Sequence, residues 1–327
     1  MRAVLCRAYG PPDSLVIEDA PPPAPGKGQA RIKVHAAGLN FADTLMVGGT
    51  YQVKPPFPFA PGLECADTVA EVGADVRGIA VGDRVMAVTS WGAMAEEAVA
   101  DQAKVFRIPE RMSFAEAAAF PVAYGTVAHG LFDRGRLQPG ETLVVHGAGG
   151  GVGLCAVEVG ALFGATVIAT AGSADKLKLA QDHGAAHGIN YATESIRDRV
   201  KELTDGKGAD AIFDAVGGDA CDQCLRCIAW DGRLLVVGFA SGRIPSAPAN
   251  LILVKGISVI GVFWGDFAMR DPARSRAHFE RMFDWYRAGK LKPHVSATYP
   301  LDQAAAAMNA MLSRRTTGKV VITVRPA

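Results

Sequence analysis

The chain has 327 residues, 49% of them hydrophobic and 20% charged, an ordinary composition for a folded protein long enough for two domains. Lysine and arginine total 34 against 33 for aspartate and glutamate, so no bulk charge draws it to nucleic acid or a membrane surface. The opening MRAVLCRAYG lacks the apolar core of a signal peptide, and the weakly charged stretch 142–174 carries Glu158 and many glycines, so the expected place is the cytoplasm, without a membrane partner.

Residues 2–6 and 15–19 read as a strand pair about a Gly10-Pro11-Pro12-Asp13 turn. A proline-rich loop, 20–28, leads to an alternating strand at 30–37. In AGLNFADTLMVGGTY, residues 37–51, Asn40 suits the N-cap of a short helix from Phe41, with Asp43 in its first turn. Four prolines make 53–62 a loop, and 63–72, 83–89 and 96–100 are further short strands between glycine turns. Many short strands at this spacing predict a partly open β-barrel.

The pattern changes at Ser113, where Ser113 and Glu116 form a capping box, and 122–132 continues helical. Strands follow at 142–147, 166–171, 187–190, 210–216, 233–239 and 258–263, with helices at 152–163, 174–183, 193–204 and 219–230. That alternation predicts an α/β fold, a doubly wound parallel sheet with helices on both faces. After Gly265 come a helix at 273–288, an alanine-rich helix at 301–313 and a last strand at 319–324. These return to the first domain, so 1–122 and 266–327 are expected to form one discontinuous domain around an inserted domain, 123–265.

Residues 142–153, TLVVHGAGGGVG, place a buried strand, a glycine turn and the start of a helix in direct succession. This is the context that a dinucleotide fingerprint requires, and the best register is Ala148, Gly150, Gly153. Side chains at Gly150 and Gly151 would block a pyrophosphate from the backbone N–H groups and the positive helix end, while Gly153 lets the helix lie close on the strand. An NAD site has an acidic residue about 20 residues further on, bonded to the ribose 2′-OH. Here that place reads Thr170, Ala171, Gly172, Ser173. Asp175 comes slightly late and is followed by Lys176. No carboxylate sits at the strand end to repel a 2′-phosphate, and a hydroxyl and an ammonium can bind one, which favours NADPH. The bland reading has Ser173 capping a helix and Lys176 solvated.

Cys221, Cys224 and Cys227 give CxxCxxC on a predicted helix, and no second ligand pair is visible, so buried free thiols are favoured over a metal knuckle. Cys6, Cys65 and Cys155 are scattered, and His35, His146 and His183 read as isolated.

The stretches GLNFADTLMVGGTY, PFAPGLECADTVAEVG, GDRVMA, HGAGGGVG, GINY, FDAVGGD, GRLLVVGFASG and TTGKVVI, spread almost end to end, carry a resemblance to the quinone oxidoreductases of the medium-chain dehydrogenase/reductase superfamily, the ζ-crystallin-like, zinc-free branch. The resemblance implies a GroES-like domain, a Rossmann domain, an active site in the cleft between them, NADPH-dependent reduction, and a homodimer or dimer of dimers. It implies that Asn40 and Phe41 to Leu45, including Thr44, approach the nicotinamide, and that Thr126 and His129 face the cofactor. Gly151 and Val152 match the pyrophosphate loop, and Gly172, Ser173, Lys176 and Tyr191 match the 2′-phosphate pocket, with Arg314 as a further phosphate contact. Val216, Gly238, Phe239, Ala240, Ser241, Phe263, Trp264 and Gly265 match strand ends at the nicotinamide half. Bland readings stand beside these: Tyr191 as core, Phe263 and Trp264 as interface packing, and Arg314 as solvated.

The alcohol-dehydrogenase branch has a cysteine near Asn40, a His-Glu pair at Leu63-Glu64 and a four-cysteine lobe, none of which this sequence supplies in full, so no metal is expected. Without a Lewis acid, the natural acceptor needs little activation, such as a quinone or activated alkene. Asn40 is the candidate donor to an acceptor oxygen, Tyr51 a candidate proton donor or stacking ring, and Asp43 an orienting or capping group. An enone, 2-alkenal or enoyl-thioester reductase is the alternative enzyme, and a non-catalytic NADPH- or RNA-binding protein the alternative of another class.

Overall fold

In the computed structural model, which describes residues 1–325, the chain forms two units. The first unit contains Met1–Val122, Ala268–Arg287 and the chain from Lys292, and the second contains Ala123–Phe267 with Ala288–Leu291.

The first unit is built on the strand Glu64–Val72, which changes partners along its length. Its first half pairs with Ala36–Leu39 and Arg84–Val88, and its second half with Gln29–Lys33. The eight-stranded sheet runs Val295–Pro300, Lys319–Thr323, Ala36–Leu39, Glu64–Val72, Gln29–Lys33, Glu97–Asp101, and Arg84–Val88 also pairs with Val105–Arg107. The predicted single strand 30–37 is therefore two strands. The Val34 N–H bonds to Glu96 O and the His35 N–H to Ala66 O, so the chain leaves one neighbour and joins another within two residues. The strands Val105–Arg107 and Val295–Pro300 were not anticipated; Pro300 reads as a breaker, yet it is only the last residue of an edge strand. The core is aliphatic in the sheet, with an aromatic group of Phe106, Phe120, Phe279 and Phe283 where the Pro272–Arg287 helix packs. Burial of such rings contributes about 1.5–3 kcal/mol each.

The second unit is a six-stranded parallel sheet ordered His187–Asn190, Thr166–Ala171, Thr142–His146, Ala209–Asp214, Ile228–Val236, Ser258–Gly261. The sheet starts in its middle and reverses direction beside Thr142–His146, the doubly wound arrangement in which ligands bind outside the carboxyl ends of the central strands. Residues 228–230, predicted as helix, are strand instead. The Gly218–Cys227 helix stops at Cys227, and a register jump between Ala209 and Ala211 accommodates the left-handed Asp231. The helices Ala249–Lys255 and Trp264–Arg270 are further elements the sequence reading lacks; in the first, the apolar run with isoleucine and valine leaves strand and helix undecided. Among the described residues, no helix is long and apolar enough to cross a membrane.

Candidate active site

Asn40 stands at the cap of the Phe41–Val47 helix, as expected, but its side chain does not cap it. The capping oxygen comes from Asp43, whose Oδ2 accepts the Asn40 backbone N–H at 2.8 Å. The Asn40 carboxamide is used elsewhere. Its Nδ2 donates to Glu64 Oε1 at 2.7 Å, and its Oδ1 accepts from Lys319 Nζ at 2.7 Å. Strand register produces this meeting: Val320 lies opposite Leu39, so Lys319 arrives beside Asn40, and Glu64 opens the neighbouring strand. Lys319 Nζ also donates to Leu39 O at 3.0 Å and Glu64 Oε1 at 2.8 Å, while Glu64 Oε2 accepts the Val122 N–H at 2.7 Å. Glu64 is fully buried and Lys319 nearly so. Gly38 makes room for them, since a Cβ there would lie 2.5 Å from Glu64 Oε1 and 2.2 Å from Ala118 O.

Asp43 is fully buried, and its Oδ1 has no hydrogen-bond partner among the described residues. Burial pushes its carboxyl up to about 7, against the opposing pull of the Asn40 N–H and the Lys319 ammonium. Tyr51 packs on the apolar core, and its phenol is raised by burial and then by Asp43, so it holds its proton. Thr44 is buried and donates to Phe41 O at 2.7 Å, while Phe41 and Leu45 are half-buried on the same helix.

In the second unit the glycine turn follows Thr142–His146, with Gly147 in the left-handed region and Gly150 capping the Gly151–Leu162 helix. A Cβ at Gly153 would lie 2.2 Å from Gly147 O, so only glycine lets the helix sit this close to the turn. Ala148 is buried, and the N–H groups at Gly151, Val152 and Gly153 open the helix, where an anion is favoured. Lys176 lies beside this turn: its Cβ, Cγ and Cδ are 2.7–3.1 Å from where a Gly149 Cβ would be. It is half-buried rather than solvated. Ser173 is the N-cap residue of a helix starting at Ala174, as read from the sequence, with its hydroxyl making no capping bond. Tyr191 covers Gly172, its Oη 3.0 Å from a Cβ position there, and is 42% exposed rather than core. The loop, the lysine and the tyrosine fit a dinucleotide bearing a 2′-phosphate.

Of the remaining predicted residues, Val216 and Gly238 to Ser241 gather beside the glycine turn. Val216 leans on Gly147, and its N–H bonds to Asp214 Oδ1 at 2.9 Å. Gly238, Ala240 and Ser241 fold back on Asp214, Ala215 and Val216 through their N–H groups, with Phe239 between them. Thr126 lies on the Pro121–Ala128 helix. His129 is buried, bonded to Asp133 Oδ2 at 2.9 Å and stacked on Phe267 at 3.9 Å. Trp264 packs against Gly125, whereas Phe263 is 53% exposed and Gly265 has open space around it. Arg314 belongs to the first unit, exposed and left-handed at the end of the Ala304–Leu312 helix.

His146, read as isolated, is not. Parallel register sets it opposite Thr170, with Nδ1 2.8 Å from Thr170 Oγ1 and Nε2 2.8 Å from Cys224 Sγ. Burial lowers the His146 imidazole and raises the Cys224 thiol. Cys221, Cys224 and Cys227 are all buried free thiols. Among the described residues, no group of three or more His, Cys, Asp or Glu side chains could hold a metal ion. At the zinc-ligand positions of the alcohol-dehydrogenase branch, Leu63 offers no donor and the Glu64 oxygens are taken by Lys319, Asn40 and Val122. That set does not fit a tetrahedral zinc site. Glu64 and Lys319 carry no local motif: Lys319 is the one charge of its strand, KVVIT, but Glu64 shares its strand, ECADTVAEV, with Asp67 and Glu71, and only strand register brings the two together.

The alcohol dehydrogenase GroES-like domain family matches residues 26–110, and the zinc-binding dehydrogenase family matches residues 151–286. A quinone oxidoreductase-like protein 2 homolog of Nematostella vectensis is 46% identical over 99% of this chain and 89% of its own length. The crystal structure of a Pseudomonas syringae pv. Tomato DC3000 quinone oxidoreductase superposes with a TM-score of 0.93 at 32% identity, covering 99% of both chains. That of the Escherichia coli quinone oxidoreductase complexed with NADPH gives 0.92 at 28% identity, covering 99% of this chain and 100% of that one.

Proposed function

The chain belongs to the quinone oxidoreductases of the medium-chain dehydrogenase/reductase superfamily, and from that premise we propose that it reduces quinones with NADPH and without zinc. The observation that carries the reading is the Asn40–Glu64–Lys319 group, a neutral hydrogen-bond donor held by an ion pair where a zinc enzyme keeps its ligands. When bound, NADPH supplies the hydride. The N–H groups of Gly151 to Gly153 bind the pyrophosphate, and Lys176, Ser173 and Tyr191 bind the 2′-phosphate. Val216 and Gly238 to Ser241 bind the nicotinamide half at the strand ends of the second unit, with Thr126, His129 and Phe263 to Gly265.

Asn40 donates to the acceptor oxygen on which negative charge develops, and Tyr51 orients the ring and donates a second hydrogen bond. A quinone becomes a hydroquinone by gaining one hydride and one proton, the proton coming from water. Such an acceptor is electrophilic enough for one or two donors to suffice. Asp43 holds the backbone of Asn40 and touches no substrate.

The second unit also suggests the assembly. Its edge strand Ser258–Gly261 is paired on one side only among the described residues, and Trp230, Leu253, Val254 and Phe263 nearby are each more than half exposed. A second copy covers this edge in a homodimer. Steady-state assays test the reaction: NADPH oxidation should be supported by small quinones more efficiently than by enones or enoyl thioesters. The opposite preference replaces the quinone reading with the enone one, and no oxidation with any acceptor favours a binding role.

A further inference from the structure

We propose that Lys319 is a positioning residue for the acceptor site, holding the Asn40 carboxamide in the one orientation that presents an N–H to the acceptor. The inference deepens the preceding reading of Asn40 and rests on it. Lys319 cannot itself serve the acceptor. An ammonium has three N–H donors, and all three are taken, by Leu39 O, Asn40 Oδ1 and Glu64 Oε1 at 2.7–3.0 Å. Glu64 is equally committed, accepting from Lys319, Asn40 and Val122.

What the pair does is set polarity across the amide. The carboxamide has an ammonium on one side and a carboxylate on the other. Flipped, it would turn its NH2 to the ammonium and its oxygen to the carboxylate, exchanging two charge-assisted bonds for two repulsions. The pair therefore selects one orientation. In that orientation one N–H bonds to Glu64, and the other has only a 3.5 Å contact to Gly38 O, at the outer limit of a hydrogen bond. This second N–H is the donor left for an acceptor oxygen. Buried ion pairs return little net stability against an apolar pair of the same shape, so stability alone is a weak reason for this one, and fixed geometry is a better one.

The experiment combines kinetics with side-chain amide NMR. Lys319→Met, Asn40→Ala and the double variant are compared for kcat and KM with a small quinone at saturating NADPH. The Asn40 amide signals are assigned by their loss in Asn40→Ala and recorded without cofactor. Lys319→Met should lower kcat roughly 10- to 100-fold, less than the roughly 100- to 1,000-fold lost when a preorganised donor is removed outright, because the Asn40 N–H remains but is no longer held. NADPH affinity should hold within about twofold, and the double variant should be no slower than the slower single, because both changes act through one group. The two Asn40 N–H signals should shift and exchange faster with water in Lys319→Met. Multiplying losses in the double variant, or parent-like kcat with unmoved amide signals, overturns the inference. Should Lys319→Met not fold, Lys319→Gln, which removes the charge but keeps a neutral NH2 group, is read against the same outcomes. If the parent protein reduces no quinone, the functional reading fails by itself, and unmoved amide signals in the Lys319 variant would still overturn the positioning role.

Discussion

Replacing Glu64 by glutamine removes one charge from the most buried ionic group in the first unit. Glu64 is fully buried and accepts three hydrogen bonds, from Lys319 at 2.8 Å, Asn40 at 2.7 Å and Val122 at 2.7 Å. Glutamine fills the same volume but has one accepting oxygen, and its NH2 would face the Lys319 ammonium or the Val122 N–H. In either orientation Lys319 would keep only neutral acceptors, leaving a buried positive charge without its carboxylate. Breaking a buried pair in this way costs about 3–5 kcal/mol, which for a unit of this size lowers Tm by about 6–20 °C. Glu64→Gln/Lys319→Met should recover much of the loss, because removing both charges leaves none stranded. Urea and thermal unfolding followed by circular dichroism on the cofactor-free protein measure both. A loss below about 1 kcal/mol, the level of an exposed pair, or a double variant less stable than Glu64→Gln alone, would refute the reasoning.

Other outcomes follow from single side chains. Lys176→Ala should weaken NADPH by about 1.5–3 kcal/mol and leave NADH nearly unchanged, since only NADPH has the extra phosphate; equal weakening in fluorescence titrations would remove Lys176 from that role. The Asp43 carboxyl is raised to about 7, so the stability it contributes is full at acid pH and lost as pH rises through 7. Facing Lys319, Glu64 and Tyr51, it should make Asp43→Asn gain on the parent by up to about 4 kcal/mol between pH 4 and 8, measured by urea unfolding; a pH-independent difference contradicts this. Gly38→Ala forces a Cβ within 2.5 Å of Glu64 Oε1 and should cost about 1–3 kcal/mol in thermal unfolding, whereas an unchanged Tm would show that the pair yields freely.

The nucleotide loop was legible because its signals are local. A strand, a glycine turn and a helix start lie within 142–153, and the missing acid after the second strand needs only counting. The Asn40 group was legible only in part. Asn40 and Asp43 are neighbours on one helix start, but Glu64 and Lys319 are 255 positions apart and meet only through the register of strands from opposite ends of the chain. The His146–Cys224 contact has the same cause, a strand end and a helix brought together across a sheet. Ala249–Lys255 was missed for a different reason: leucine, isoleucine and valine in a short run leave strand and helix undecided, and packing settles it.

The proposed reaction is hydride transfer from NADPH to a quinone. Stopped-flow single turnovers with NADPH deuterated at the transferring position, against several small quinones, test it most directly. A quinone should be reduced, and deuteration should slow the loss of NADPH absorbance. Reduction of an enone or enoyl thioester but of no quinone, or quinone reduction at a rate deuteration leaves untouched, would contradict it.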